Sequence, residues 1–150
     1  YFEFDLDEAG IRRFKRNCLL LLIPIILLHI SAGVVGNPGM YKMYISLPYV
    51  LAFFPLLYLA TGILMLPKEK RKYRRDEVGL SYYRMRSSSL VLLIFLGIGL
   101  LGEIGFLVFG AADNATTLEI LFIAFEVPAA GAVFFLINLQ RKIRVQISEK

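Results

Sequence analysis

The sequence predicts an all-α polytopic membrane protein, with four transmembrane helices in one bundle and both termini cytoplasmic. Three observations carry that expectation. Hydrophobic residues make up 57% of the chain and the mean hydropathy is +0.64, beyond an average soluble domain. The apolar residues gather into four runs of roughly 20, each long enough at about 1.5 Å rise per residue to cross a hydrocarbon layer about 30 Å thick. All but one of the 17 Lys and Arg residues lie in the N-terminal arm, the middle connection and the C-terminal tail, which the positive-inside rule places together in the cytoplasm. Runs of this length must be helical, because lipid satisfies no free backbone group and barrel strands are only about 10 residues long.

The arm "IRRFKRN" supplies Arg12, Arg13, Lys15 and Arg16 and leads into a first span at about 18–37, "CLLLLIPIILLHISAGVVGN". The connection "NPGMYKMY" carries Lys42, the exceptional basic residue, and is expected to face outward. Tyr41, Tyr44 and Tyr49 read as an interfacial aromatic belt. The second span covers about 45–66, and the basic cytoplasmic loop 67–89 follows, "PKEKRKYRRDEVGLSYYRMRSSS". Val78, Tyr82 and Met85 fall at i, i+4 and i+7, a stripe that predicts a helix leading into the third span. The serines at 87–89 suit helix caps. The third and fourth spans cover about 90–110 and 118–139, joined by the outer loop "AADNAT"; Arg141, Lys142, Arg144 and Lys150 form the tail. The whole chain, 1–150, reads as one domain. The single cysteine, Cys18, excludes a disulfide within it.

A shift of 73 residues superimposes Pro55 on Pro128, Arg13 on Arg86 and Arg71 on Arg144, the pattern of two parallel αα-hairpin repeats related by an axis along the membrane normal. Small residues offer close-packing faces: Gly99, Gly102 and Gly105 in the third span, with Ala129, Ala130, Gly131 and Ala132 of the fourth as their expected counterpart.

Polar residues inside the spans point to function. His29 precedes Asn37 by eight residues, Glu103 precedes Gly110 by seven, and Glu126 follows Leu118 by eight. Counted from the outer edge, all three lie about 11 to 12 Å deep. Each costs about 2.5 to 3.5 kcal/mol on insertion scales, so they are expected to turn inward and meet as one polar centre. Glu119, on the Glu126 face, would line access from outside. An imidazole beside carboxylates suits the sharing of a proton or the holding of a cation, which predicts a transport or permease-associated protein handling a proton, a cation or a small molecule. One His and two Glu on separate spans give no local metal motif, and the residues name neither a metal nor a cofactor.

The alternative is a noncatalytic membrane subunit or scaffold that docks a partner or anionic lipid through Arg74, Arg75, Arg84 and Arg86. An enzyme is disfavoured, since no Ser or Cys nucleophile stands with a base. Expected partners are membrane lipid, anionic on the cytoplasmic side, and a membrane-protein partner or a second copy of the chain. The net charge of +5 is read as topology, not as a nucleic-acid surface. The expected location is a plasma or inner membrane, N-in and C-in.

Overall fold

The computed structural model describes residues 1–110 and 116–148. The predicted outer loop at 111–115 and Lys150 of the basic tail lie outside the described residues.

The first helix, α1 (Glu8–Val34), starts where extended Asp7 accepts the Gly10 N–H on its carboxylate at 2.8 Å, satisfying one of the free donors of the first turn. It begins ten residues before the predicted span. Ile11, Phe14 and Cys18 extend the buried face of the helix toward the N-terminus. At 27 residues it is about 40 Å long, so its first turns, bearing exposed Arg12, Arg13 and Arg16, reach past a hydrocarbon layer. The chain turns away at Gly36, whose φ of 67° is the left-handed conformation that glycine adopts without strain.

A 3₁₀ turn at Pro38–Tyr41 leads into α2 (Met43–Leu51) and α3 (Phe53–Leu64), which together make the second span. The interruption falls at Ala52, where Pro55 has no N–H to offer the Leu51 carbonyl. The free end of α3 is closed from α1: Lys15 Nζ donates to the Leu64 and Leu66 carbonyls, each at 2.8 Å, a cation on the negative end of a helix.

From Arg75 the chain is helical to Phe109, as α4 (Arg75–Val78), a π-type turn at Gly79–Tyr83, and α5 (Arg84–Phe109). The predicted stripe is buried as a unit, Val78, Tyr82 and Met85 all lying in the core. Ser88 and Ser89 are not caps. Their hydroxyls bond back to the Arg84 and Arg86 carbonyls inside the helix, and Ser89 also reaches Gln140 Oε1 at 3.2 Å. Gly62 lets α3 touch this segment; a Cβ there would stand 2.9 Å from Met85 N and 3.0 Å from the Ser81 carbonyl. The last span is α6 (Thr116–Arg141), which runs through Pro128.

Helix accounts for 79% of the described residues, so the all-α expectation holds apart from one small addition. Strand β1 (Phe2–Phe4) pairs antiparallel with β2 (Val145–Ile147), and Phe2 also exchanges two 2.8 Å backbone bonds with Tyr73. Arm, tail and middle connection therefore meet at one end of the bundle. Three-residue strands carry too little alternation to be read locally. Burial pushes the Tyr73 phenol above its ordinary value, keeping it a neutral donor to the Glu69 carbonyl.

Helix α1 lies on α6, α6 on α5, and α5 on both halves of the second span. The glycine face of α5 meets α2, not the Ala/Gly face of α6. A Cβ on Gly102 would stand 3.1 Å from the Tyr44 carbonyl, while Gly131 has open space around it. Polarity is arranged inside out. Leu20, Leu27, Phe54, Leu101 and Phe135 are exposed, whereas His29, Glu103, Glu119, Glu126, Ser89 and Gln140 are buried. Water would favour the opposite arrangement; a hydrocarbon surround favours this one.

Candidate functional site

The buried polar residues in the half of the bundle remote from both termini form two groups. In the first, His29 of α1 and Glu126 of α6 meet as expected from their equal depth, with His29 Nδ1 2.8 Å from Glu126 Oε1. The other ring nitrogen, Nε2, lies 3.2 Å from the Tyr49 carbonyl, next to the break in the second span. A carbonyl only accepts, so Nε2 carries a proton. Two proton arrangements then fit Nδ1 and Oε1: a neutral imidazole accepting from a carboxylic acid, or an imidazolium donating to a carboxylate. Both hold the same proton and both are neutral overall, which suits a pair sealed in an apolar interior.

Aromatic rings close this group. Tyr49 lies 4.3 Å and Phe53 4.7 Å from the imidazole, centroid to centroid, and the Tyr49 hydroxyl donates to the His29 carbonyl at 2.7 Å. Tyr49 thus does not join the interfacial belt. It is buried, while Tyr41 and Tyr44 are exposed. The belt assignment rested on nearness in sequence to the outer connection, and helix rotation turns Tyr49 inward.

Glu103 does not complete the centre with His29 and Glu126. Its hydrogen-bond partner among the described residues is Asn37, whose Nδ2 lies 3.5 and 3.4 Å from its two oxygens. The same amide donates to Glu119 Oε2 at 2.7 Å, and the Gly39 N–H donates to Glu119 Oε1 at 2.7 Å. The reason is the turn at Asn37–Tyr41. The depth count placed Asn37 at the membrane edge, but Asn37 and Gly39 are buried, so the turn folds down between the helix ends. A Cβ on Gly39 would stand 2.7 Å from Glu103 Oε2 and 2.8 Å from Glu119 Oε2; only a glycine leaves both carboxylates in place.

Glu119, expected to line an access route, is instead fully buried and paired with Glu103 across this turn. Both residues have 0% exposure. The ion pairs among the described residues are Arg12–Glu8, His29–Glu126 and Arg71–Glu77, so neither Glu103 nor Glu119 has a cationic partner there. No group of three or more His, Cys, Asp and Glu side chains gathers as a metal shell among the described residues, which leaves the one-His, two-Glu shell unassembled. Sequence reasoning passed over Asn37 and Gly39. Their signal was present in "NPG", where Pro38 opens the 3₁₀ turn and polar Asn37 ends a greasy run.

At the opposite end, Arg74, Arg75 and Arg86 are exposed and Arg84 half-buried. Arg84 lies over the Tyr58 ring at 5.4 Å and 3.5 Å from the Thr61 hydroxyl.

Fold and buried polar residues together are those of a membrane protein: four helices long and apolar enough to cross a bilayer enclose a His29–Glu126 pair and, separately, Glu103 and Glu119 joined through Asn37. No protein-family model, curated protein or solved structure matches the chain.

Proposed function

We propose that this chain is a small integral membrane protein that handles a proton or a small cation, in transport itself or as part of a permease. The observation that carries the reading is the pair Glu103 and Glu119, both fully buried around Gly39 with no cationic side chain beside them among the described residues. Two carboxylates this close in an apolar bundle do not both stay charged and uncompensated; a proton or a cation must accompany them. The neutral His29–Glu126 pair lies deeper and offers a second station for a proton. By the positive-inside rule the end that gathers both termini faces the cytoplasm of a plasma or inner membrane, and the buried Glu103–Glu119 pair then lies in the half nearer the outer face.

Flux across liposomes containing the purified protein, followed with pH-sensitive and cation-sensitive dyes, tests this. Glu103→Gln and Glu126→Gln are expected to abolish flux while the yield of folded protein stays near that of the parent. Equal loss of fold and flux would assign these residues to helix association alone.

A second reading, that of a noncatalytic subunit or scaffold, draws support from the basic end. The β1–β2 pairing and the Phe2–Tyr73 bridge join arm, tail and middle connection there, and Arg74, Arg75, Arg84 and Arg86 form no ion pair among the described residues. Anionic lipid or an acidic partner, including a second copy of the chain, suits such a surface, each basic side chain contributing about 1 kcal/mol near an anionic membrane. Neutralising these four arginines separates the readings: a copurifying partner or anionic lipid is lost if the scaffold holds, and flux is unchanged if transport does.

A further inference from the structure

We infer that the trough between α3 and α5, at the end of the bundle that gathers both termini, binds one anionic phospholipid, with Arg84 on its phosphate and an acyl chain laid along Tyr58 and Phe54. The inference rests on reading the chain as membrane-spanning, and it narrows the basic surface of the scaffold reading to one arginine with a groove behind it.

Two adjoining cavities of about 300 Å³ each form the trough, and Phe54 and Tyr58 are walls common to both. Thr61 and Arg84 close one end, while Val91 and Phe95 line the other. Phe54, Tyr58 and Val91 are exposed, so this face of the bundle touches lipid. Polarity therefore changes along the trough from guanidinium to hydrocarbon, the order found in a phospholipid. From Arg84 to Phe95 along α5 is about 16 Å, close to half of a hydrocarbon layer about 30 Å thick. Depth agrees with this. Arg84 opens α5 and Phe109 ends it, about 37 Å apart, so with Phe109 at one hydrocarbon edge Arg84 reaches the headgroups of the opposite leaflet, in a bilayer about 40 to 45 Å thick overall.

Charge commits the trough to an anionic lipid. A guanidinium carries several N–H donors in a rigid fork, and among the described residues Arg84 uses one of them, in a 3.5 Å contact with the Thr61 hydroxyl. Its charge lies over the Tyr58 ring at 5.4 Å and has no carboxylate partner there. It is also half-buried, whereas Arg74, Arg75 and Arg86 are exposed to solvent. A planar fork fits two phosphate oxygens at once. Ser87, three residues on along the same face, lines the trough and adds a hydroxyl. A zwitterionic choline lipid brings its own cation to the phosphate; a lipid of net negative charge leaves the phosphate to Arg84. A helix about 10 to 12 Å across does not enter cavities of this volume, but an acyl chain does.

Native mass spectrometry of the purified full chain, stripped of lipid in neutral micelles, tests the site with phosphatidylglycerol and phosphatidylcholine as probes. One phosphatidylglycerol per chain is expected, bound about tenfold tighter or more than phosphatidylcholine. Arg84→Gln should weaken it about tenfold or more, since charge-assisted bonds to phosphate are the strong class. Arg74→Gln, Arg75→Gln and Arg86→Gln should each weaken it about twofold or less, as exposed charges screened by salt. Val91→Trp fills the trough and keeps every charge; it should also weaken binding, and it decides the matter if Arg84→Gln fails to fold. Equal losses from all four arginines, or binding unchanged by Arg84→Gln or Val91→Trp, overturn the site. Equal losses leave the scaffold reading standing as a diffuse basic surface. No preference over phosphatidylcholine overturns recognition by charge, displacement by inorganic phosphate overturns the lipid as occupant, and a dimer that takes up no lipid gives the trough to a second copy. The scaffold reading fails on a different result: a copurifying protein partner still bound when all four arginines are neutralised, which leaves the lipid site intact.

Discussion

His29→Leu is expected to destabilise the bundle by about 3 kcal/mol or more, and adding Glu126→Leu to it is expected to restore most of the loss. The single change leaves a sealed carboxylic group facing hydrocarbon with no partner, the situation that makes breaking a buried pair cost about 3 to 5 kcal/mol. The double change removes both polar groups and their desolvation together. Glu126→Gln divides the two proton arrangements. A glutamine amide N–H can donate to Nδ1 as a carboxylic acid does, so a neutral imidazole accepting from Glu126 predicts a loss below about 1 kcal/mol, in the range of an interhelical hydrogen bond. If the pair is instead held by imidazolium and carboxylate charge, glutamine must cost nearly as much as leucine. Reversible unfolding in mixed micelles measures all three variants, and a double variant no more stable than His29→Leu alone would refute the neutral-pair account.

Asn37→Leu is expected to cost about 3 kcal/mol, unusual for a residue in a short connection. Asn37 donates to Glu119 at 2.7 Å and supplies the contacts that Glu103 receives among the described residues. A hydrogen bond to a charged group is worth about 1.5 to 3 kcal/mol, and removing its donor leaves the acceptor to bear its own desolvation. Combining Asn37→Leu with Glu103→Leu should recover part of the loss, because one orphaned acid goes with its donor. The same micelle unfolding reports it. A loss within about 0.5 kcal/mol, the usual range for a surface substitution, would mean that the Asn37–Tyr41 turn does not hold the acids in place.

Four spans, their order and their apolar surfaces were legible in the sequence, because hydropathy is a property that each run of about 20 residues carries by itself. So was the depth match of His29 and Glu126, which needs only the helical rise and ends in a 2.8 Å contact. The stripe of Val78, Tyr82 and Met85 was legible for the same reason: helical period is local.

What only the tertiary structure decided was which polar group meets which. Glu103 matched the other two in counted depth, yet it faces Asn37 and Glu119, because α5 is rotated to lay Gly102 on Tyr44 and the "NPG" turn folds inward. Tyr49 left the interface for the imidazole because α2 presents it to the interior, against His29. The joining of Phe2–Phe4 to Val145–Ile147 was likewise invisible, since two three-residue strands become strands only when the ends of the bundle bring them together. Apolar patterning sets how far each helix crosses and which broad side turns to lipid; the angle about its axis and the path of a short turn are set by packing between helices, and those two quantities choose the partners of every buried acid.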